Sequence, residues 1–255
     1  MSAHVDHAGR ELKSGGAHTR MTVSHAMNAD LSQRAVMHAA SMAWQASPSR
    51  TVWRKRLHLV GSSEAGRVTS LVRYDPNASF PAHEHPHGEE ILVLEGTFSD
   101  ERGDWPAGTY LLSPEGFRHA PFSKPGCTLF VKLRQYAGPG RRCVVLRTAH
   151  LAWQPTGLSG IERKPLYAQA GFADTVELQR WAPAACPGTV CYESGAELFV
   201  LSGGFEDEYG AYERHAWLRL PAGAVHTPVS PGGCELYVKT GGLAATGQHS
   251  GETGS

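Results

Sequence analysis

Cysteine is scarce in this chain. There are five in 255 residues, an odd number with no Cys-x-x-Cys pair, which argues against a disulfide scaffold. Such usage fits a reducing cytoplasm. A surplus of charge is also absent: 24 Lys and Arg face 24 Asp and Glu, for a formal net charge of zero. Nothing therefore suggests electrostatic capture of nucleic acid or of an anionic membrane. Long apolar runs are missing too. Uninterrupted aliphatic stretches reach about four residues, so no helical segment spans a bilayer. The first 26 residues lack the apolar core of a signal peptide. Met27-Asn28-Ala29-Asp30 reads as a natural start, preceded by an extension whose His4, His7, His18 and His25 belong to a floppy tail. The Gly-, Ser- and Thr-rich end from Gly241 to Ser255 reads the same way.

What remains is organised as short β-segments. Val68–Tyr74, Ile91–Phe98, Tyr110–Leu112 and Leu129–Leu133 are rich in β-branched, aromatic or aliphatic residues and separated by Pro- and Gly-containing turns. A second series follows at Val176–Trp181, Leu198–Phe205, Trp217–Leu220 and Leu236–Lys239. Apolar residues at Leu31, Ala35, Val36 and Ala39–Ala40 predict a short helix over Leu31–Ala43. The runs Arg54-Lys55-Arg56 and Arg141-Arg142 read as solvated strand or linker faces.

The two series are an internal duplication. A shift of 107 carries Phe98 onto Phe205, Asp100 onto Asp207, Pro114 onto Pro221, Gly116 onto Gly223 and His119 onto His226. It also carries Cys127 onto Cys234 and Lys132 onto Lys239. Upstream the shift is 109, taking Trp44-Gln45 to Trp153-Gln154 and Arg54-Lys55 to Arg163-Lys164, so two residues are missing near the Gly61–Gly66 loop. A period this long is a repeated domain rather than a solenoid. Copies of about 100 residues can each bury a core. Limits of 31–145 and 146–242 follow, with residues 1–30 and 243–255 as tails.

Chemistry concentrates in the first copy. In Pro81-Ala82-His83-Glu84-His85-Pro86-His87-Gly88-Glu89-Glu90, His83 and His85 are two apart and point to one face of a strand. Pro86-His87-Gly88 is a turn or bulge that re-aims the chain. Glu89 opens the next apolar strand, and His119 follows the turn Pro114-Glu115-Gly116. Three imidazoles and a carboxylate suit a divalent cation with one or two positions left open. Glu89 is preferred to Glu90 as the carboxylate, because Glu90 is retained as Glu197 in the other copy and so reads as a structural partner. His87 is either a base near the site, a substituted ligand or a solvated turn residue. Arg118 faces away from His119, as a surface residue or a rim group for an anionic ligand. Tyr110 and Phe130, matched by Trp217 and Tyr237, read as core.

In the second copy His83, His85 and Glu89 become Val190, Tyr192 and Ala196, leaving His226 alone. Cys186, Cys191 and Glu193 lie near the lost positions without a recognisable ligand spacing. This copy is read as metal-free, covering the first barrel, making an interface or offering a dry pocket.

The first stretch resembles the first cupin motif, with His83, His85, Glu89 and Gly96 in register. The second resembles the second motif, with Gly108, Pro114, Gly116 and His119 in place and Phe122-Ser123 where that motif closes on Asn. The wording around them, Glu95 to Glu101 and His119 to Ser123 with Gly126-Cys127, is similar to ChrR-type cupin domains, well over residues 36–145 and more weakly beyond. The resemblance implies an all-β protein of two tandem cupin jelly rolls, a bicupin packed as a pair. It also implies one divalent metal per chain, Fe2+ or Zn2+ first and Mn2+ or Ni2+ as options, on His83, His85, Glu89 and His119.

Two functions follow from that resemblance. One is a metal-dependent enzyme of dioxygenase type acting on a small organic molecule, since open positions beside three histidines and a carboxylate admit an enolisable substrate together with dioxygen, or Lewis-acid chemistry. The other is a sensor of small molecules or oxidants. In ChrR-type anti-sigma relatives a zinc-binding helical domain precedes the cupin; here about 35 residues precede it, with no cysteine before Cys127, so sigma-factor inhibition by that mode is not expected. A metal-binding structural protein without turnover is the third reading. The expected partner is a small-molecule ligand or substrate, and a homodimer is an open option.

Overall fold

A computed structural model describes residues 26–62 and 66–243. The expected N-terminal tail lies outside the described residues as far as His25, and the C-terminal one beyond Leu243. Met27 to Asp30 are tied in: Met27 exchanges backbone hydrogen bonds of 2.9 Å with Leu59 in both directions.

The fold is all-β, as expected, with one barrel per copy. In the first, the main sheet runs in the order Val144–Arg147, Thr109–Ser113, Glu89–Asp100, Cys127–Leu133, Arg67–Tyr74, Val52–Val60 and Gln45–Ala46. In the second, the order is Ala35–His38, Ala216–Leu220, Ala196–Asp207, Cys234–Thr240, Thr175–Trp181, Ile161–Tyr167 and Gln154–Pro155. Each barrel carries a two-stranded ribbon, His83–His85 with Phe117–His119 and Val190–Tyr192 with Ala224–His226.

The leading strands are exchanged. Ala35–His38 belongs by sequence to the first copy but pairs antiparallel with Ala216–Leu220 of the second. Its counterpart Val144–Arg147 pairs with Thr109–Ser113 of the first. Neither copy completes its sheet alone.

The helix expected over Leu31–Ala43 is replaced by the strand Ala35–His38 and a single 3-10 turn, Ala39–Ser41. The physical reason is the open sheet edge presented by Ala216–Leu220, whose ladder outweighs the weak preference of a short alanine-rich segment. Burial alternates accordingly. Ala35 and Met37 pack into the core between the barrels and Val36 into the interior of the second.

Three apolar cores result. Val52, Val72, Ile91, Leu129 and Val131 belong to the first barrel's interior, and Ile161, Trp181, Phe205, Leu218 and Leu236 to the second's. Between them lies a shared layer containing Leu57, Leu71, Tyr110, Phe130, Phe199, Trp217 and Tyr237. Phe130 stacks on Phe199 across the repeat at 4.4 Å between ring centroids. Tyr110 and Phe130 are core as expected, within the layer that joins the copies. Cys127 and Cys234 are buried free thiols.

The joining layer contains reciprocal buried charges. Lys132 of the first copy donates to Glu197 of the second at 2.6 Å and to Thr69 at 2.9 Å, while Trp217 Nε1 donates to the same carboxylate at 3.0 Å. The equivalent pair runs the other way, Lys239 Nζ lying 3.5 Å from Glu90, which accepts from Tyr237 at 2.7 Å. Lys239 also reaches Asp174 at 3.5 Å and the Tyr136 hydroxyl. Burial raises the Glu197 carboxyl, but the adjoining Lys132 ammonium outweighs it and holds the pKa at about 2. The glutamate retained in both copies is thus a partner across the interface.

Arg219, 1 % exposed, secures the N-terminal segment by donating to the carbonyls of Asn28, Asp30 (2.6 Å) and Gln33 (3.2 Å). His58 lies 3.2 Å from it, and burial pushes that imidazole down from 6.5 to about 4.

Two outcomes are expected. Lys132→Ala strands a buried carboxylate and should cost about 3–5 kcal/mol in urea denaturation, whereas adding Glu197→Gln should recover part of it; an unchanged midpoint for the single variant would refute the role. His58 is held neutral in the folded state, so its contribution is complete above pH 6.5 and is lost as pH falls from 6.5 towards 4. His58→Gln should make that acid limb of the stability curve shallower, and an identical limb would exclude the assignment.

Candidate metal centre

Two glycines shape the first ribbon. His87 (φ 64°) and Gly88 (φ 76°) both take left-handed backbone, reversing the chain between His83–His85 and Glu89–Asp100. A Cβ at Gly88 would stand 2.8 Å from the Ser113 carbonyl oxygen and 2.9 Å from Tyr136 Cβ. Gly96 (φ 71°) passes so close to the neighbouring strand that a Cβ would lie 2.0 Å from the Gly126 carbonyl oxygen. Through this turn Glu89 returns to the face presented by the ribbon, and Glu90, one residue on, faces the joining layer.

Pairing of the ribbon sets His119 directly across from His83, with His85 on the same face. The ligating atoms of His83, His85 and His119 lie within 4.8 Å of one another. His85 Nε2 and His119 Nε2 are 2.9 Å apart, and Glu89 Oε2 is 3.5 Å from each. All four predicted residues are thus brought together. Donors about 2.1 Å from one ion and roughly 90–110° apart would be separated by about 3.0–3.4 Å, so the observed spacing fits a single divalent cation.

The protonation pattern fits as well. His83 Nδ1 lies 2.8 Å from the Pro81 carbonyl and His119 Nδ1 lies 3.4 Å from Asp100 Oδ2. Both acceptors call for the proton on Nδ1, which leaves each Nε2 lone pair aimed inwards. Burial pushes His85 down to about 3, with smaller contributions from His119 and His83, so it is neutral at physiological pH. Burial raises the Glu89 carboxyl, while the imidazoles of His119 and His83 oppose the shift. Four convergent donors with one carboxylate are chemistry for a cation.

Asp100 was not expected as a site residue. It accepts from the Arg102 backbone N–H at 2.9 Å, from Arg102 Nε at 3.1 Å and Nη2 at 2.7 Å. Its pKa is held below the usual carboxylate range because bonds from His119 and Arg102 outweigh burial. The available signal was its identity with Asp207, which accepts from His226 Nδ1 at 2.9 Å. The second copy therefore keeps the orienting pair although Val190, Tyr192 and Ala196 replace the other donors. Cys186, Cys191 and Glu193 are exposed, and among the described residues one cluster with metal-ligand spacing occurs, the first copy's.

His87 is exposed on its turn, 3.8 Å from Glu115, and Arg118 is exposed beside Glu84 on the ribbon. Neither joins the cluster. The four donors instead border a cavity of about 80 Å3 inside the barrel, whose walls include Val52, Tyr74, Phe80, Ile91, Phe98 and Leu129. Among the described residues no helix is long and apolar enough to cross a membrane.

A comparison with the curated proteins finds no match. Among solved structures, the chain is similar to a candidate dioxygenase from Nostoc punctiforme, with 14% identity, 81% of this chain and 82% of that one covered, and a TM-score of 0.67. It is similar to the pirin YhhW of Escherichia coli in complex with nickel(II), at 14% identity, 82% and 98% coverage and a TM-score of 0.59. Bacillus subtilis oxalate decarboxylase, described with Mn(II) centres, shares 12% identity over 81% and 76% of the chains with a TM-score of 0.56. Likeness at these identities establishes the shared fold. The family model for the ChrR cupin-like domain matches twice, at residues 32–137 and 141–244, and so the chain belongs to the ChrR cupin-like family as a tandem of two such domains.

Proposed function

We propose that the first barrel is a mononuclear metal site and that the protein is a metal-dependent enzyme of oxygenase type acting on a small organic molecule. The observation that carries this reading is the convergence of His83, His85, His119 and Glu89 at a cavity inside the barrel. In it, those four residues hold one divalent ion, Fe2+ or Zn2+ first. Bound there, iron would supply Lewis acidity and a place where dioxygen and an enolisable substrate meet. Asp100 orients His119 and keeps its proton on Nδ1. Val52, Ile91, Phe98 and Leu129 give the cavity an apolar wall, and a wall of lower dielectric strengthens the polar contacts beside it. Solved structures of the same fold described with nickel or manganese support the reading of a metal-binding protein. The free thiols support a reducing, cytoplasmic location.

Metal content is the first test. Untagged protein should contain one equivalent of metal per chain by elemental mass spectrometry. His83→Ala and His119→Ala should each lose it, with a matching fall in thermal midpoint; unchanged content in both would eliminate the site. Asp100→Ala should weaken affinity about 10–100-fold while preserving stoichiometry at saturating metal. Anaerobically iron-loaded protein should consume oxygen in a substrate-dependent manner on a panel of enolisable diketones and polyphenols. Tightly held zinc with no uptake would move the reading to a ligand sensor without turnover.

A further inference from the structure

The cavity wall of the first barrel contains two hydroxyls without partners. Val68, Ser70, Val72 and Tyr74 alternate along the strand Arg67–Tyr74 and share the face that lines the cavity. Thr69 and Leu71 between them turn to the joining layer. Ser70 is 2 % exposed and Tyr74 8 %. Neither hydroxyl makes a hydrogen bond among the described residues, and neither is sealed from the open space beside it. The Tyr74 ring stands edge-on to Phe98, with centroids 6.1 Å apart and an angle of 80°. Burial raises its phenol and the Glu89 carboxylate adds to the shift, so the group keeps its proton and is a donor near Glu89. Arg54 and Arg56, read from the sequence as a solvated face, border the cavity too. Both have partners within the protein, and Arg56 donates to Gln45 at 3.0 Å.

The duplication supplies an internal comparison. Through the shift of 107, Ser70, Val72 and Tyr74 correspond to Glu177, Gln179 and Trp181. Strand pairing agrees, since Tyr74 lies across from Cys127 as Trp181 does from Cys234. In the second barrel these three side chains satisfy one another. Trp181 Nε1 donates to Gln179 Oε1 at 3.0 Å, and Gln179 Nε2 donates to Glu177 Oε1 at 2.7 Å. Arg163, 3.5 Å from Glu177, completes the chain. In the first barrel Val72 stands where the bridging amide would be, so the hydroxyls on either side of it stay open. A buried hydroxyl without a partner costs free energy that a ligand oxygen would recover. The copy with the histidine cluster is thus the one whose polar wall is incomplete.

We propose that Tyr74 selects the ligand of the first barrel, its hydroxyl donating to the carbonyl oxygen of a compact, largely apolar ketone. This rests on the reading of that barrel as the substrate-binding one and gives it a specificity residue. The size limit comes from the cavity, whose volume of about 80 Å3 holds about six water-sized groups. Val52, Val72, Ile91 and Leu129 receive the apolar body. A phenol O–H donates to lone pairs that a carbonyl offers and a hydrocarbon lacks. Ser70 is left for a second oxygen, where the ligand has one.

The test uses butanone and its hydrocarbon isostere 2-methyl-1-butene, titrated by protein NMR into the metal-free and the metal-loaded full chain. Tyr74→Phe removes only the hydroxyl and should weaken butanone about 3–10-fold while leaving the alkene within about twofold. A change in cavity shape would move both probes alike. In the parent, butanone labelled with 13C at the carbonyl should show that carbon downfield of its position in alkane solvent, a reading that needs no variant to fold. No saturable butanone binding by the parent, an unshifted carbonyl carbon, or equal effects of Tyr74→Phe on both probes would overturn the proposal. Metal content separates the two readings. Tyr74-dependent butanone binding in a chain that takes up no metal would sustain the ketone site and sink the metalloenzyme. One metal per chain with butanone indifferent to Tyr74→Phe would do the reverse.

Discussion

Two buried lysine–glutamate pairs of opposite sense hold this molecule together. Lys132 reaches Glu197 and Lys239 reaches Glu90, so each repeat places a cation against the other's carboxylate in a layer otherwise filled by aromatic rings. A buried charge is tolerable only when paired and hydrogen-bonded. Either barrel alone would expose its half of each pair together with the apolar face around it. The exchanged leading strands impose the same dependence through backbone hydrogen bonds. The two repeats thus form a mutually completed body.

That joining layer also bears on the site. Glu89 and Glu90 are neighbours on a strand and therefore point to opposite faces. Anchoring Glu90 in the interface turns Glu89 towards the histidines, and the left-handed turn at His87-Gly88 brings the ribbon back over it. A one-residue slip in this strand would exchange the two carboxylates, placing an unpaired charge in the apolar layer. The cross-barrel contacts therefore set the register of the candidate metal centre from the side where no chemistry occurs.

Duplication allowed the copies to divide labour. In the second barrel Val190, Tyr192 and Ala196 stand where donors stood, and Trp181, Phe205 and Tyr212 fill the interior. It keeps its share of the interface and the His226–Asp207 pair. What it lacks, among the described residues, is a convergent set of donors.

Much of this was legible in the chain itself. The shift of 107 residues exposed the duplication, turn chemistry and short β-rich segments indicated an all-β fold, and the His-x-His…Glu…His spacing picked out residues that the structure brings together, because strand alternation is a local rule. Three features were not legible, for one shared reason. Ala35–His38 became a strand because a sheet edge from the distant copy accepted it. Asp100 came to lie behind His119 because a tight turn and Arg102 hold it there. Arg54 and Arg56 border a cavity because strand pairing remote in sequence sets Val72 and Ser70 across from them and curls that face into the barrel. Local spacing determined which residues could act together, whereas contacts between segments remote in the chain decided which faces were buried, which carboxylate met which cation, and where the open space lay.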